Sequence, residues 1–274
     1  MEIKASDVAK LRQMTGSGMM DCKNALAEAN GDFDRAQEII REKGKLVASK
    51  RADRETKEGA VIAKLSADGK KGILVSLGCE TDFVSQNAEF QALANTIADA
   101  ALAAMPSSLS SLLSTKVGKF TIEDLVSQQT GKTGEKHQIA YYDRLSAPML
   151  VAYNHMNGKV SAMVAFNKAF DATAAKNVAM QTAAMKPVSV SKDDCPADVR
   201  KKELQIGREQ AKLEGKPEAM LDKIAEGKLN RFFKDSTLLA QDFIKDNKMT
   251  VEAYIKSVDK DATVTAFKRF SFND

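Results

Sequence analysis

The sequence predicts an α+β protein in several parts: an N-terminal three-helix module, a duplicated core of antiparallel sheets with helices on one face, and an inserted antiparallel helical hairpin, a coiled coil. Three observations lead there. Apolar spacing is helical up to Gly44 and becomes strand-like after Gly59. A hairpin, an Ala-rich helix and a returning strand then occur twice, at an offset of about ninety residues. Between the second Ala-rich helix and the final strand, apolar residues seven apart mark two further helices. At 274 residues, 43% hydrophobic and 28% charged, the chain is too long for one ordinary domain and lies within the globular range.

Residues 5–43 read as three short helices. Ser6 can cap the first, whose apolar positions are Val8, Leu11 and Met14; Ser17 can cap the second, which ends at Asn30-Gly31; Asp32 can cap the third, which stops at Gly44. Residues 45–58 carry dense charge of both signs and little apolar material, as a solvated linker or helical extension would. Residues 1–54 are thus expected to be a module and linker, tethered to the core rather than embedded in it.

The first half of the core is expected at 55–146. Ala60–Leu65 and Gly72–Leu77 flank Asp68-Gly69, a hairpin signal. The loop Thr81-Asp82-Phe83-Val84 follows, then a long Ala-rich helix over 87–105 closed by Pro106, a helix near 121–129 and a strand over 138–145. The second half, 147–192 with 235–274, repeats the pattern: strands at 148–153 and 159–166 around Met156-Asn157-Gly158, a helix over 172–185, and a last strand over 263–272. Residues 193–234 form the insert, with Val199, Ile206 and Leu213 striping one helix and Leu221, Ile224, Ala225 and Phe232 the other, joined by Gly215-Lys216-Pro217. Arms of roughly eighteen residues project about 27 Å.

Catalytic chemistry finds little support. The two histidines, His137 and His155, provide no HExxH and no three-ligand metal site, so no metal is expected. Gly131-Lys132-Thr133 lacks the earlier Gly of a phosphate-binding loop, that position being Val126, and Gly16-Ser17-Gly18 is followed by Met19-Met20-Asp21, as no nucleophile elbow is. Cys22, Cys79 and Cys195 are odd in number and far apart, which suits buried, reduced thiols. No cofactor and no enzymatic activity are expected. A net charge of +4, from 41 basic and 37 acidic residues spread along the chain, does not suggest direct nucleic-acid binding. The start, Met1-Glu2-Ile3-Lys4, lacks an apolar leader, and no apolar run approaches the roughly 18 residues of a membrane span. A cytoplasmic protein without membrane association is expected.

The candidate residues are of the kind that grip another protein. In the second helix Met19, Cys22, Leu26 and Ala29 share one face, which leaves Met20 beside Lys23, Asn24 and Ala27, so one of the paired methionines should be exposed, with Arg12 nearby. Phe83 falls between a strand and a polar helix start, where it either staples the loop to the sheet or enters a partner, with Asp82 adding negative charge. His155, after Tyr153-Asn154 at a strand end, is either a surface histidine or a contact.

Residues Leu11–Leu26, reading Leu-Arg-Gln-Met-Thr-Gly-Ser-Gly-Met-Met-Asp-Cys-Lys-Asn-Ala-Leu, together with Asn30-Gly31-Asp32, closely resemble the N-terminal module of bacterial elongation factor Ts; Thr81-Asp82-Phe83-Val84 matches as well. The resemblance covers the whole chain, more strongly to about residue 95. It implies a ubiquitin-associated (UBA)-like three-helix module, the duplicated core and the helical hairpin. It further implies guanine-nucleotide exchange on elongation factor Tu in translation elongation: the factor binds the GDP complex, promotes GDP release and is displaced as GTP loads. By motif, Asp82 and Phe83, within Thr81–Val84, would wedge into the GTPase domain and disturb its Mg²⁺ and phosphate site. Arg12, Met19 and Met20 would grip that domain's surface, and His155 would contact the partner from the second core half. The alternative is a UBA-like protein-binding adaptor without exchange activity, carried by residues 1–45 alone.

Overall fold

The computed structural model describes residues 3–51 and 53–274; Met1, Glu2 and Ala52, part of the expected module and linker, lie outside the described residues. Helices α1 (Ala5–Thr15), α2 (Met19–Glu28) and α3 (Phe33–Lys50) enclose a small core of Val8, Leu11, Cys22, Ala25, Leu26, Ala36 and Ile40. Asp32 caps α3 as expected, its carboxylate accepting from the Asp34 and Arg35 N–H groups at 2.9 and 3.1 Å. Ser6 and Ser17 do not cap: α1 starts after Lys4 and α2 after Gly18, neither with a side-chain cap bond. Ser17 is instead turned inward, its carbonyl accepting from the Cys22 thiol at 3.6 Å. Met14 is exposed.

The larger correction concerns Gly44. The helix does not stop there but continues to Lys50, because Gly44 is where α3 crosses another helix, α7 (Ile122–Thr133). A Cβ on Gly44 would collide with the Ser127 carbonyl, and one on Gly131 would come 3.2 Å from the Gly44 Cα. Missing side chains let the two backbones meet, and the three-helix unit is docked on the core rather than only tethered.

The core begins with β1 (Glu58–Leu65) and β2 (Lys71–Cys79), antiparallel around Asp68-Gly69, with Leu65 opposite Gly72. A single helical turn, α4 (Asp82–Ser85), leads to α5 (Ala88–Ala104), whose N-cap Asn87 accepts from the Glu89 N–H at 2.8 Å. Then come α6 (Leu109–Leu113), the two-residue strands β3 (Lys116–Val117) and β4 (Phe120–Thr121), α7 with a Thr121–Asp124 capping box, and β5 (Gln138–Ser146). In the second half β6 (Met149–Asn154) and β7 (Val160–Phe166) precede α8 (Ala172–Met185). The hairpin arms are α9 (Ala197–Leu213) and α10 (Leu221–Ser236), and the chain closes with β8 (Asp242–Phe243), β9 (Asp246–Thr250), α11 (Val251–Val258) and β10 (Val264–Ser271). The arms meet along Gly207, Ala211, Leu221, Ala225 and Leu229, while Leu213, expected in the stripe, is 88% exposed at the tip. Strands of two residues, as β3, β4 and β8 are, carry no readable period.

The longer strands form two three-stranded antiparallel sheets, ordered β1-β2-β5 and β10-β7-β6, and the short ones pair as β3-β4 and β8-β9. On β2, Ile73, Val75, Leu77 and Cys79 face the core under α5, with Phe90, Ile97 and Ala101; on β7, Val164 and Phe166 face α8, with Ala175, Val178 and Ala179. The opposite faces bury Leu74 with Val61, Ala63 and Phe270, and Met163 with Leu150, Leu65 and Leu145. A Cβ on Gly72 would strike the Met163 sulfur. The sheets therefore pack face to face with helices outside, and β2 and β7, covered on both sides, are apolar nearly throughout. Asn154 ties them edge to edge: its side-chain oxygen accepts from the Ala63 N–H at 2.8 Å and its amide nitrogen donates to the Ala63 carbonyl at 3.0 Å.

Replacing Gly44 by Val should force α3 away from α7 at a cost of about 1–3 kcal/mol, raising the undocked population at least about fivefold. Trypsin should then cut faster at Lys50, Arg51, Arg54 and Lys57; unchanged cleavage would show that the crossing carries no docking energy.

Candidate partner-binding site

Past the end of β2 the backbone ladder with β5 stops, its last pair being Gly78 and Gln138. Two carboxylates replace it. Glu80 accepts from the Lys136 N–H at 2.7 Å, and Glu135 accepts from the N–H groups of Glu80 and Thr81 at 3.2 and 3.1 Å and from the Thr81 hydroxyl at 2.6 Å. Arg51, just past α3, donates to both Glu80 oxygens at 2.8 and 2.9 Å. Burial opposes the charged form of Glu80, but the Lys136 N–H and Arg51 outweigh it and hold the carboxyl below its usual range.

This bracket ends where α4 begins. Val84 packs into the core under α5 and the Ser85 hydroxyl donates to the Asp82 carbonyl at 3.0 Å. Asp82 is exposed and Phe83 is 86% exposed. Of the two readings open for Phe83, the staple is excluded; Val84 takes that place. Beneath the turn Cys79 is buried, donating to the Thr81 carbonyl at 3.2 Å, and burial pushes its thiol up to about 12, so it stays protonated. Burial likewise holds the His137 imidazole below its ordinary value.

In the three-helix unit both methionines are exposed, Met19 at 43% and Met20 at 65%, where one was expected; Arg12 is exposed too. The short α1–α2 connection explains this, since Met19 is the first residue of α2 and projects past the small core. Gly16 abuts the Lys132 side chain of α7, and Lys132 pairs with Glu89, six residues after Phe83. The Gly16–Met20 connection and the start of α5 thus lie against the same end of α7. His155 stands apart in the β6–β7 hairpin, exposed, its Nδ1 3.0 Å from the Tyr153 hydroxyl. It borders a cavity of about 350 Å³ lined by Met180, Ile244 and Arg269 among others. Among the described residues His155 shares no hydrogen-bond or ion-pair partner with either other segment.

Phe83 is an exposed aromatic on a braced turn, and among the described residues no group of three His, Cys, Asp or Glu is placed to hold a metal. No helix among the described residues is long and apolar enough to cross a membrane. Residues 80–274 match the family model described as Elongation factor TS. The chain belongs to the elongation factor Ts family. Elongation factor Ts of Christiangramia forsetii is 47% identical over 270 residues, covering 98% of each chain; that of Flavobacterium psychrophilum is 46% identical over 269, covering 97% of each. Elongation factor Ts of Hydrogenobaculum is 44% identical over 275 residues, 98% of each. The family match begins at Glu80 and so includes the turn, while Arg12, Met19 and Met20 lie in the stretch that these relatives cover.

Sequence reasoning missed Arg51, Glu80, Lys132 and Glu135, which touch the site only through folding. The nearest signal was a pair of acidic residues at the facing ends of two strands. Glu80 carries a sign for acid stability: its folded pKa is depressed, so its contribution is present above the ordinary carboxylate value and is lost as pH falls through the folded one. Glu80→Gln should lose less stability than the parent between about pH 5 and 3 in thermal melts; parallel melting curves would remove Glu80 from the acid limb.

Proposed function

We infer that the chain is a guanine-nucleotide exchange factor for elongation factor Tu in translation elongation, and that Thr81, Asp82, Phe83 and Val84 form the lever that displaces Mg²⁺ and loosens the phosphate site of that GTPase. The supporting observation is Phe83, 86% exposed beside Asp82 on a turn braced from behind. Burying this ring in a partner contributes roughly 1.5–3 kcal/mol, about one to two decades in an equilibrium constant. A carboxylate entering with it competes for the environment of a Mg²⁺ that bridges phosphates, where the metal is the largest local charge. Linkage closes the cycle: whatever factor weakens GDP on binding of this chain, nucleotide weakens the binding of this chain equally, so GTP ejects it.

In this reading Arg12, Met19 and Met20 hold the GTPase-domain surface, thioethers adapting to an irregular face, and His155 contacts the partner from the second core half. The division into a UBA-like module (1–54), two core halves (55–146; 147–192 with 235–274) and a coiled-coil insert (193–234) belongs to the same proposal, as does a cytoplasmic place of work. No covalent step and no cofactor are required. An adaptor acting through the three-helix module alone leaves the exposed Phe83 without a use.

The test is release of a fluorescent GDP from elongation factor Tu. The intact chain should accelerate it, and Phe83→Ala should lose about 10–100-fold in rate. Absence of acceleration by the intact chain sinks the function, and full activity of Phe83→Ala sinks the lever. Met20→Ala should instead raise the concentration needed for half-maximal acceleration and leave the saturating rate near that of the parent.

A further inference from the structure

We propose that Glu135 is a positioning residue for exchange, fixing the direction in which Phe83 is presented; the proposal rests on the reading that Phe83 enters the partner. A helical turn of four residues cannot hold its own orientation, because one hydrogen-bonded turn is an unfavourable nucleus. Ordinarily the N-cap side chain would support it. Thr81 occupies that position and makes no cap bond; its hydroxyl donates to Glu135 at 2.6 Å instead. The Thr81 N–H also goes to Glu135, and so does that of Glu80. The donors of the two residues before Asp82-Phe83 are therefore secured by a carboxylate 54 residues from Thr81 in sequence, and the turn itself adds only the bond from the Ser85 N–H to the Thr81 carbonyl at 3.2 Å.

Glu135 is itself fixed. Its N–H donates to the Thr133 hydroxyl at 3.1 Å, and its carbonyl lies 2.9 Å from His137 Nδ1. The next residue, Lys136, gives its N–H to Glu80, so the strand ends clasp each other reciprocally. The helix leading into Glu135 is α7, whose Lys132 abuts Gly16 and pairs with Glu89. One short segment, 131–136, thus sets both the three-helix unit and the Phe83 turn.

A ring meant to press on a partner works only if its support does not yield. Freed from Glu135, the turn would keep only the Val84 packing and the Cys79 bond behind it and would sample more orientations, of which only the productive fraction would transmit contact to the nucleotide site. The partner would still be gripped by the rest of the surface, so the loss falls on the rate within the complex and not on its formation.

The experiment measures fluorescent-GDP release from elongation factor Tu over a range of concentrations of the intact chain, Glu135→Gln, Phe83→Ala and the double variant. Glutamine keeps the size of Glu135 but turns an NH₂ toward donors that need an acceptor. The saturating rate with Glu135→Gln should fall about tenfold while the half-saturating concentration moves less than about threefold. In the Phe83→Ala background it should cost nothing further, since the two act as a unit. Thr81→Val, which removes one of the three donors and keeps the branched shape, should show the same split at about threefold and serves if Glu135→Gln fails to fold. A parental saturating rate in Glu135→Gln, a change confined to half-saturation, or full additivity with Phe83→Ala would each overturn the proposal while the role of Phe83 stands. A parental rate in Phe83→Ala alone would overturn both.

Discussion

The contact between the two three-stranded sheets is the constraint to which the other parts are fitted. β2 and β7 are each covered on one face by a helix and on the other by the opposite sheet, so neither sheet can shift register without exposing apolar residues on two sides at once. Small residues make the approach possible: Gly72 lies under Met163, and the buried hydroxyl of Ser161 donates to the Val61 carbonyl at 2.9 Å. Asn154 meets the outer edge of β1 as another strand would, occupying both hydrogen-bonding groups of Ala63 and closing an edge that could otherwise pair with another chain. With the sheets fixed, the ends of β2 and β5 are fixed too, and from those ends the Phe83 turn departs.

The second layer of organisation runs through α7. Toward its C-terminal end the Gly44–Gly131 crossing brings in the three-helix unit, and there Lys132, with Glu135 just beyond the helix, reaches toward the two segments that carry the candidate contacts. Arg51, at the end of α3, returns to Glu80 and joins the unit to the bracket from the other side. Most ion pairs here are exposed and contribute little individually. The bracket around Glu80, Thr81 and Glu135 differs because its acceptors serve backbone N–H groups left over where the sheet ends, and those donors need partners for the chain to turn there at all.

The legible and illegible parts of the sequence divide along physical lines. Asp68-Gly69 announced the first hairpin because few other dipeptides tolerate its turn, and the Ala-rich runs announced α5 and α8. The apolar runs Ile73–Leu77 and Val160–Phe166, each broken by a single serine, held the sign of double burial, although the expectation of helices on one face left the other face unassigned. Gly44 was misread because the same missing side chain suits a helix end and a close helix crossing, and local sequence does not distinguish them. Spacing alone left Phe83 open between staple and contact; its exposure, with Val84 half-buried in its stead, removes the staple. Glu135 was beyond reach, since its role depends on the register that brings Gln138 opposite Gly78.

The glycine crossing also has a consequence in time. Gly44 and Gly131 are 87 positions apart, by subtraction of their numbers. At a synthesis rate of about 5–20 residues per second, α3 is complete for roughly 4–17 s before the surface it docks on leaves the ribosome. The three-helix unit has its own core of Leu11, Cys22, Leu26 and Ile40 to enclose during that interval, while the Gly44 face of α3 waits in water for α7 to arrive.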